Sequence, residues 1–147
     1  MDLFQTLKHD HQKIRRLFER LADAASGTIK ERERLFAELK QELTLHSEVE
    51  EQHFYPALEE NEEARDLVEE AFEEHDEFKR LLEELDQIDK ADDTWLDQLE
   101  ELREDVEHHV EEEETELFPV AQKVLGRARA DEIDQAIQST KAAIKTQ

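Results

Sequence analysis

HSEVEEQHFYP at residues 46–56 and HVEEEETELFP at 109–119 are one pattern written twice, with His46-x3-Glu50-Glu51-x3-Tyr55-Pro56 answered by His109-x3-Glu113-Glu114-x3-Phe118-Pro119. The residues upstream repeat as well. His11-x2-Ile14-x3-Phe18-x2-Leu21 is matched by His75-x2-Phe78-x3-Leu82-x2-Leu85, and 35 residues separate His11 from His46 against 34 between His75 and His109. Self-similarity of this kind marks one supersecondary unit used twice. Apolar positions three and four apart make that unit a pair of helices packed through an a/d seam.

Outward from the repeat, four seams can be read: Leu7, His11, Ile14, Phe18 and Leu21; Phe36, Leu39, Leu43, His46 and Glu50; Val68, His75, Phe78, Leu82 and Leu85; Leu99, Leu102, Val106, His109, Glu113 and Val120. Boundary signals agree with them. Asp2 with Gln5 opens helix 1, which runs to about Ala25 before Ser26-Gly27. Thr28 with Glu31 caps helix 2, Asn61 caps helix 3 to about Ile88, and Asp93 or Thr94 opens helix 4 to Gly126, with Pro119 bending its last turns. The expected fold is all-α: an up-down-up-down antiparallel four-helix bundle over residues 1–125, with a short fifth helix in a C-terminal extension, 126–147. Asp131 is the expected cap of that helix. Its stripe of Ile133, Ile137 and Ile144, beside the basic residues Lys123, Arg127, Arg129, Lys141 and Lys145, should dock on one end of the bundle or form a dimer contact, giving a monomer or weak homodimer.

Composition narrows the function. The 147 residues carry 19 Lys+Arg, 42 Asp+Glu, seven His and no Cys, a net charge of −23. Such a chain repels a phosphate backbone, so nucleic acid is excluded as an expected partner. Without Cys, any metal must rest on nitrogen and oxygen donors. No apolar run approaches the ~20 residues of a membrane span, and Met1–Lys8 has no signal-peptide core, so the expectation is a cytoplasmic chain with no membrane partner. Low hydropathy with high charge is also the mark of disorder; the sustained helical periodicity favours a folded bundle.

Helices rise about 1.5 Å per residue, and counting from the two hairpin loops puts His11, His46, His75 and His109 in one layer, with Glu50 and Glu113 one turn further along the same faces. Four imidazoles and two carboxylates in seam positions are costly to bury unless compensated. A cation compensates them. Two iron or manganese ions suit these donors, with two His on each and Glu50 and Glu113 bridging. Room remains for a bridging oxo or hydroxo group and an open position where a small ligand binds.

On these residues the chain resembles the hemerythrin family in its HHE cation-binding branch, through Asp10-His11, Glu74-His75 and both H-x3-E-E-x3-[aromatic]-P blocks, over residues 1 to about 125. The resemblance implies a non-haem di-iron site, Fe2+/Fe3+ with Mn or Zn as possible substitutes. His11, His46, His75 and His109 would be its terminal ligands and Glu50 and Glu113 its bridges. Oxygen-carrying members have a fifth His four residues after the helix-3 ligand, where this chain has Lys79. That departure implies more exposed metal, and hence peroxide decomposition, an oxidase-like reaction or sensing of O2, peroxide or NO ahead of O2 transport. His53 and Tyr55 are the candidate replacement ligands.

Two rival readings accompany it. A ferritin-like iron oxidase uses Glu-x-x-His on two helices; Glu50-x2-His53 fits once, and the second copy would need Glu at Val106 or His at Glu116. An acidic helical interaction module would use the His layer as a pH switch and ignore chelation. His9 and His108 fall off the seams and are expected at the surface, Glu51 and Glu114 at the surface or behind the ligands, Tyr55 and Phe118 at the bundle end, and Trp95 beneath the 3–4 loop. Metal affinity is expected to fall as His protonates below roughly pH 6.

Overall fold

The computed structural model describes residues 1–24 and 27–145. Helix α1 spans Leu3–Asp23, α2 Ile29–Val49, α3 Glu62–Gln87, α4 Asp93–Glu112 and α5 Phe118–Lys145, with no strand among the described residues. The antiparallel hairpins α1–α2 and α3–α4 pack into the expected up-down-up-down bundle. Caps lie where short polar side chains satisfy the orphan N–H groups of a first turn. Asp2 and Gln5 form a reciprocal capping box, Thr28 accepts from the Glu31 N–H, Asn61 from Ala64 and Asp92 from Thr94. The expected stop of helix 1 at Ala25-Ser26 lies outside the described residues.

Both repeated blocks interrupt their helix in the same way. Glu50–Phe54 and Glu113–Leu117 are single π-helical turns, in which the Tyr55 N–H reaches the Glu50 carbonyl and the Phe118 N–H that of Glu113, five residues back. Proline explains the placement. Pro56 and Pro119 follow at the next position, and proline both lacks an N–H and crowds the carbonyl four residues before it, which favours a widened turn. After the first π turn the chain makes a 3-10 turn, Tyr55–Ala57, and leaves the bundle; after the second it continues helically to Gly126.

Gly126 takes φ 70°, ψ 169°, a left-handed backbone that breaks α5 into 118–125, which prolongs α4, and 127–145. The last helix therefore begins ahead of Asp131, which lies inside it instead of capping it. Its apolar side docks on the bundle. Ala130, Ile133 and Ile137 join Leu3, Phe4, Leu45, Val49, Phe54 and Phe118 in one core cluster. A second cluster fills the opposite end, under the 1–2 and 3–4 loops, around Phe18, Leu35, Phe36, Leu85, Trp95 and Leu102. Trp95 is buried there as expected, its indole N–H donating to the Leu85 carbonyl. The histidine layer lies between the two clusters.

Candidate metal centre

His11, His46, His75, His109, Glu50 and Glu113 are all buried, none more than 4% exposed. Their polar atoms meet. The Nε2 atoms of His11 and His46 lie 3.1 Å apart and those of His75 and His109 3.3 Å apart. Each glutamate spans the hairpins: Glu50 Oε1 is 3.1 Å from His46 Nε2 and 3.3 Å from His75 Nε2, while Glu113 places Oε1 3.2 Å from His11 Nε2 and Oε2 3.2 Å from His109 Nε2.

Behind the rings the repeat produces a second regularity. Each Nδ1 faces a carboxylate: His11 with Glu114 at 2.7 Å, His75 with Glu51 at 2.9 Å, His46 with Asp10 at 2.9 Å and His109 with Glu74 at 2.6 Å. The residue before each first-helix His thus serves the second helix of its own hairpin, and the residue after Glu50 or Glu113 serves the first helix of the other hairpin. Carboxylates accept hydrogen bonds, so the Nδ1–H donates and Nε2 is left with a lone pair. Two facing Nε2 atoms 3.1–3.3 Å apart in a buried interior need a shared proton or a metal cation between them.

A metal ion fits that requirement. Two donors each about 2.1 Å from one ion at roughly right angles are about 3 Å apart. Donor atoms of His11, His46, Glu50 and Glu113 lie within 4.8 Å of one another, and so do those of Glu50, His75 and His109, making two groups joined through Glu50. Glu50 Oε2 and Glu113 Oε1 are buried without a hydrogen-bond partner, an arrangement costly in a finished core and natural in a ligand.

Tyr55, read from the sequence both as a bundle-end residue and as a candidate ligand, turns into this layer. Its hydroxyl donates to Glu113 Oε2 at 2.6 Å and lies 3.1 Å from Glu50 Oε1 and 3.3 Å from His75 Nε2. On a regular α-helix, residues five apart point about 140° away from each other; the π turn brings Glu50 and Tyr55 to one face. Phe118, the matching residue, stacks on His11 with ring centroids 6.1 Å apart and has no hydroxyl to offer. Burial pushes the Tyr55 phenol well above its ordinary pKa, as do the Glu113 and Glu50 carboxylates, so it stays a donor. Replacing it with phenylalanine removes a hydrogen bond to a buried carboxylate. Tyr55→Phe is expected to cost the metal-free chain about 1.5–3 kcal/mol in urea denaturation while keeping the ring packing on Phe54 and Phe72.

The other candidates separate. His53 does not join the centre, because its Nε2 is 2.8 Å from Thr140 Oγ1 on α5; the Glu50-x2-His53 pair of the ferritin-like reading does not converge on one ion. Lys79 is exposed, four residues beyond His75. His9 and His108 are exposed as expected.

Burial disfavours charge on His46, but Glu50 and Asp10 outweigh it and raise its pKa from 6.5 to about 10. His75 and His109 are raised in the same way, against burial, by Glu50 and Glu51 and by Glu113 and Glu74. Burial likewise pushes Glu113 up, but its pairing with the Glu50 carboxyl, the charge and hydrogen bond of His109 and the adjacent His11 together carry it well below the usual carboxylate range. A histidine with a raised folded pKa stabilises fully below its unfolded value and loses that contribution as pH rises through the folded one. The chelated chain should therefore lose stability between about pH 6.5 and about pH 10 through His46, whereas the metal-loaded chain should not. Thermal melts at half-unit pH steps measure this. Metal uptake should also keep strengthening, with proton release, well above the pH 6 expected from an ordinary imidazole.

The comparisons with known proteins agree with this geometry. A solved structure of a hemerythrin HHE cation binding domain-containing protein from Mycobacterium kansasii aligns with a TM-score of 0.83 at 26% identity, covering 99% of this chain and 91% of that one. A protein of Nostoc sp. named DNA nickase is 27% identical over 145 residues, 99% of this chain, which spans 40% of that protein's length. The family model of the Hemerythrin HHE cation binding domain matches residues 2–121, and the chain belongs to that family.

Proposed function

We propose that the chain is a non-haem di-iron protein that reacts with O2 or peroxide, or senses them, in preference to carrying O2. One observation carries the reading: four imidazole Nε2 atoms converge in two facing pairs on two bridging-type carboxylates, with all four Nδ1 atoms already committed. One ion would rest on His11, His46, Glu50 and Glu113, the other on His75, His109 and Glu50, with Glu113 Oε2 also 3.2 Å from His109. Iron held by these residues would supply the redox chemistry for O2 or peroxide. The chain's own residues orient the imidazoles, exclude water from the layer and hold a proton on Tyr55 Oη, hydrogen-bonded to Glu113 Oε2.

Access supports reaction over storage. A groove of about 310 Å³ between α2 and α3 is lined by His75, Glu51, Ser47, Phe78 and Lys79 among others. Where a fifth imidazole would close that side, an exposed lysine leaves it open. The strand cleavage in the name of the Nostoc protein is not carried over, since this chain spans 40% of that protein and a net charge of −23 opposes nucleic acid.

The test is to add Fe(II) to chelated protein without oxygen, count the iron bound, and record visible spectra on admitting O2 and then peroxide. About two irons per chain with new charge-transfer absorption supports the reading. Bands that bleach reversibly would replace it with carriage, and no bound iron would return the acidic interaction module.

A further inference from the structure

The two halves of the centre are related by a repeat, yet the carboxylates behind His46 and His109 are treated differently. Asp10 and Glu74 hold equivalent places, each preceding a first-helix histidine and each accepting from the Nδ1–H of a second-helix one. Asp10 is also gripped by Lys141, whose Nζ is 2.7 Å from Oδ1 and 2.6 Å from Oδ2, with both side chains 13% exposed. Glu74 has no such cation among the described residues. It sits with Glu70, His108 and Glu112, whose polar atoms lie within 4.8 Å of one another.

Lys141 lies beyond the residues that the family model matches, on the segment 127–145 docked across the α1–α2 hairpin. Gln138, one turn earlier, reaches Thr6 Oγ1 at 3.4 Å, and Thr140 meets His53, so three neighbouring side chains fix the segment beside the layer.

We infer that Lys141 is a positioning residue that pins Asp10 against His46 and, by drawing charge from that carboxylate, makes the two ion positions unequal. This rests on the metal reading above. A carboxylate on Nδ1 strengthens the imidazole as a donor at Nε2, and such outer partners change metal affinity about 10–100-fold. An ammonium shared between both Asp10 oxygens weakens that push; the acidic surroundings of Glu74 leave it whole. His109 is then the stronger donor of the pair. The position at His75 and His109 favours the higher charge, and that at His11 and His46 the lower.

The experiment titrates the chelated full chain with Co2+ and follows its visible bands. Two bound Co2+ per wild-type chain with unequal stepwise affinities is expected; fewer than two overturns the metal reading itself, independently of Lys141. Lys141→Met should strengthen the weaker step and narrow the ratio about 10-fold, with altered bands for that step, while Lys141→Arg keeps the wild-type ratio. Gln138→Ala, which loosens the same segment without touching Asp10, should leave the ratio unchanged. In an Asp10→Asn background, Lys141→Met should have no further effect, the signature of action through one partner. Two bound ions with a ratio unmoved by Lys141→Met, or moved equally by Gln138→Ala, or additivity with Asp10→Asn, would each overturn the proposal and leave the di-iron reading standing.

Discussion

Removing metal from the chain is expected to lower its melting temperature by roughly 10–20 °C relative to the protein reloaded with two divalent ions. The layer of six buried ligand-type side chains explains the size of the effect. An ion present at about a hundred times its dissociation constant stabilises the folded state by about 2.7 kcal/mol; two give about 5 kcal/mol, and a chain of this length gains roughly 2–4 °C per kcal/mol. The metal-free layer is compensated only in part, by protons shared among the facing imidazoles and by the Tyr55 hydroxyl on Glu113. Each divalent ion also relieves a net charge of −23 that strains the compact state. Equal melting temperatures with and without metal, followed by circular dichroism at pH 7.5, would favour the pH-switch module, which predicts indifference to chelation.

The helices were legible because their signals are local and redundant. Asp2, Thr28 and Asn61 cap where capping chemistry puts them, α4 begins at Asp93 as expected though its cap is Asp92, and the a/d stripes need no knowledge of what they face. The last helix was misplaced at its start because Gly126 reads as a stop and Asp131 as a cap. A glycine at positive φ can instead turn the axis within one residue and let the next helix begin at once.

The layer of four histidines and two glutamates was legible for a different reason. Equal spacing from two hairpin loops fixes height along a bundle, so four histidines could be put at one level by counting. Orientation could not be counted. Seam geometry assumes about 100° per residue, and the π turns at Glu50–Phe54 and Glu113–Leu117 break that assumption where it matters most. Tyr55 was expected both at the bundle end and as a candidate replacement ligand, and its hydroxyl is found on Glu50 and Glu113, 3.3 Å from His75 Nε2. The one available signal was the proline six residues after Glu50 and after Glu113. Of the partners behind the rings, Glu51 and Glu114 were read as surface residues or residues behind the ligands, and the structure places them behind; Asp10 and Glu74 were hidden by abundance, since among 42 acidic residues their role stands out only when the ring nitrogens facing them are known. Lys141 was hidden by distance, 131 residues from Asp10.

Glu50→Gln should cost the chain both metal ions, not one. A glutamine keeps the volume and one acceptor oxygen but not the charge or the second anionic donor, so packing at the π turn survives while bridging does not. Because Glu50 Oε1 faces His46 on one hairpin and His75 on the other, its loss is felt at both ion positions. His109→Ala takes an imidazole from one group alone and leaves His11, His46, Glu50 and Glu113 together. The expected series after desalting, by elemental analysis, is two ions for wild type, about one for His109→Ala and none for Glu50→Gln, with reaction toward O2 or peroxide abolished in both variants. His9→Ala, an exposed side chain outside both groups, should retain two. Two ions retained by Glu50→Gln would mean that the hairpins bind metal independently, each on its own pair of histidines. The repeat would then be two separate sites side by side, not one centre built across them.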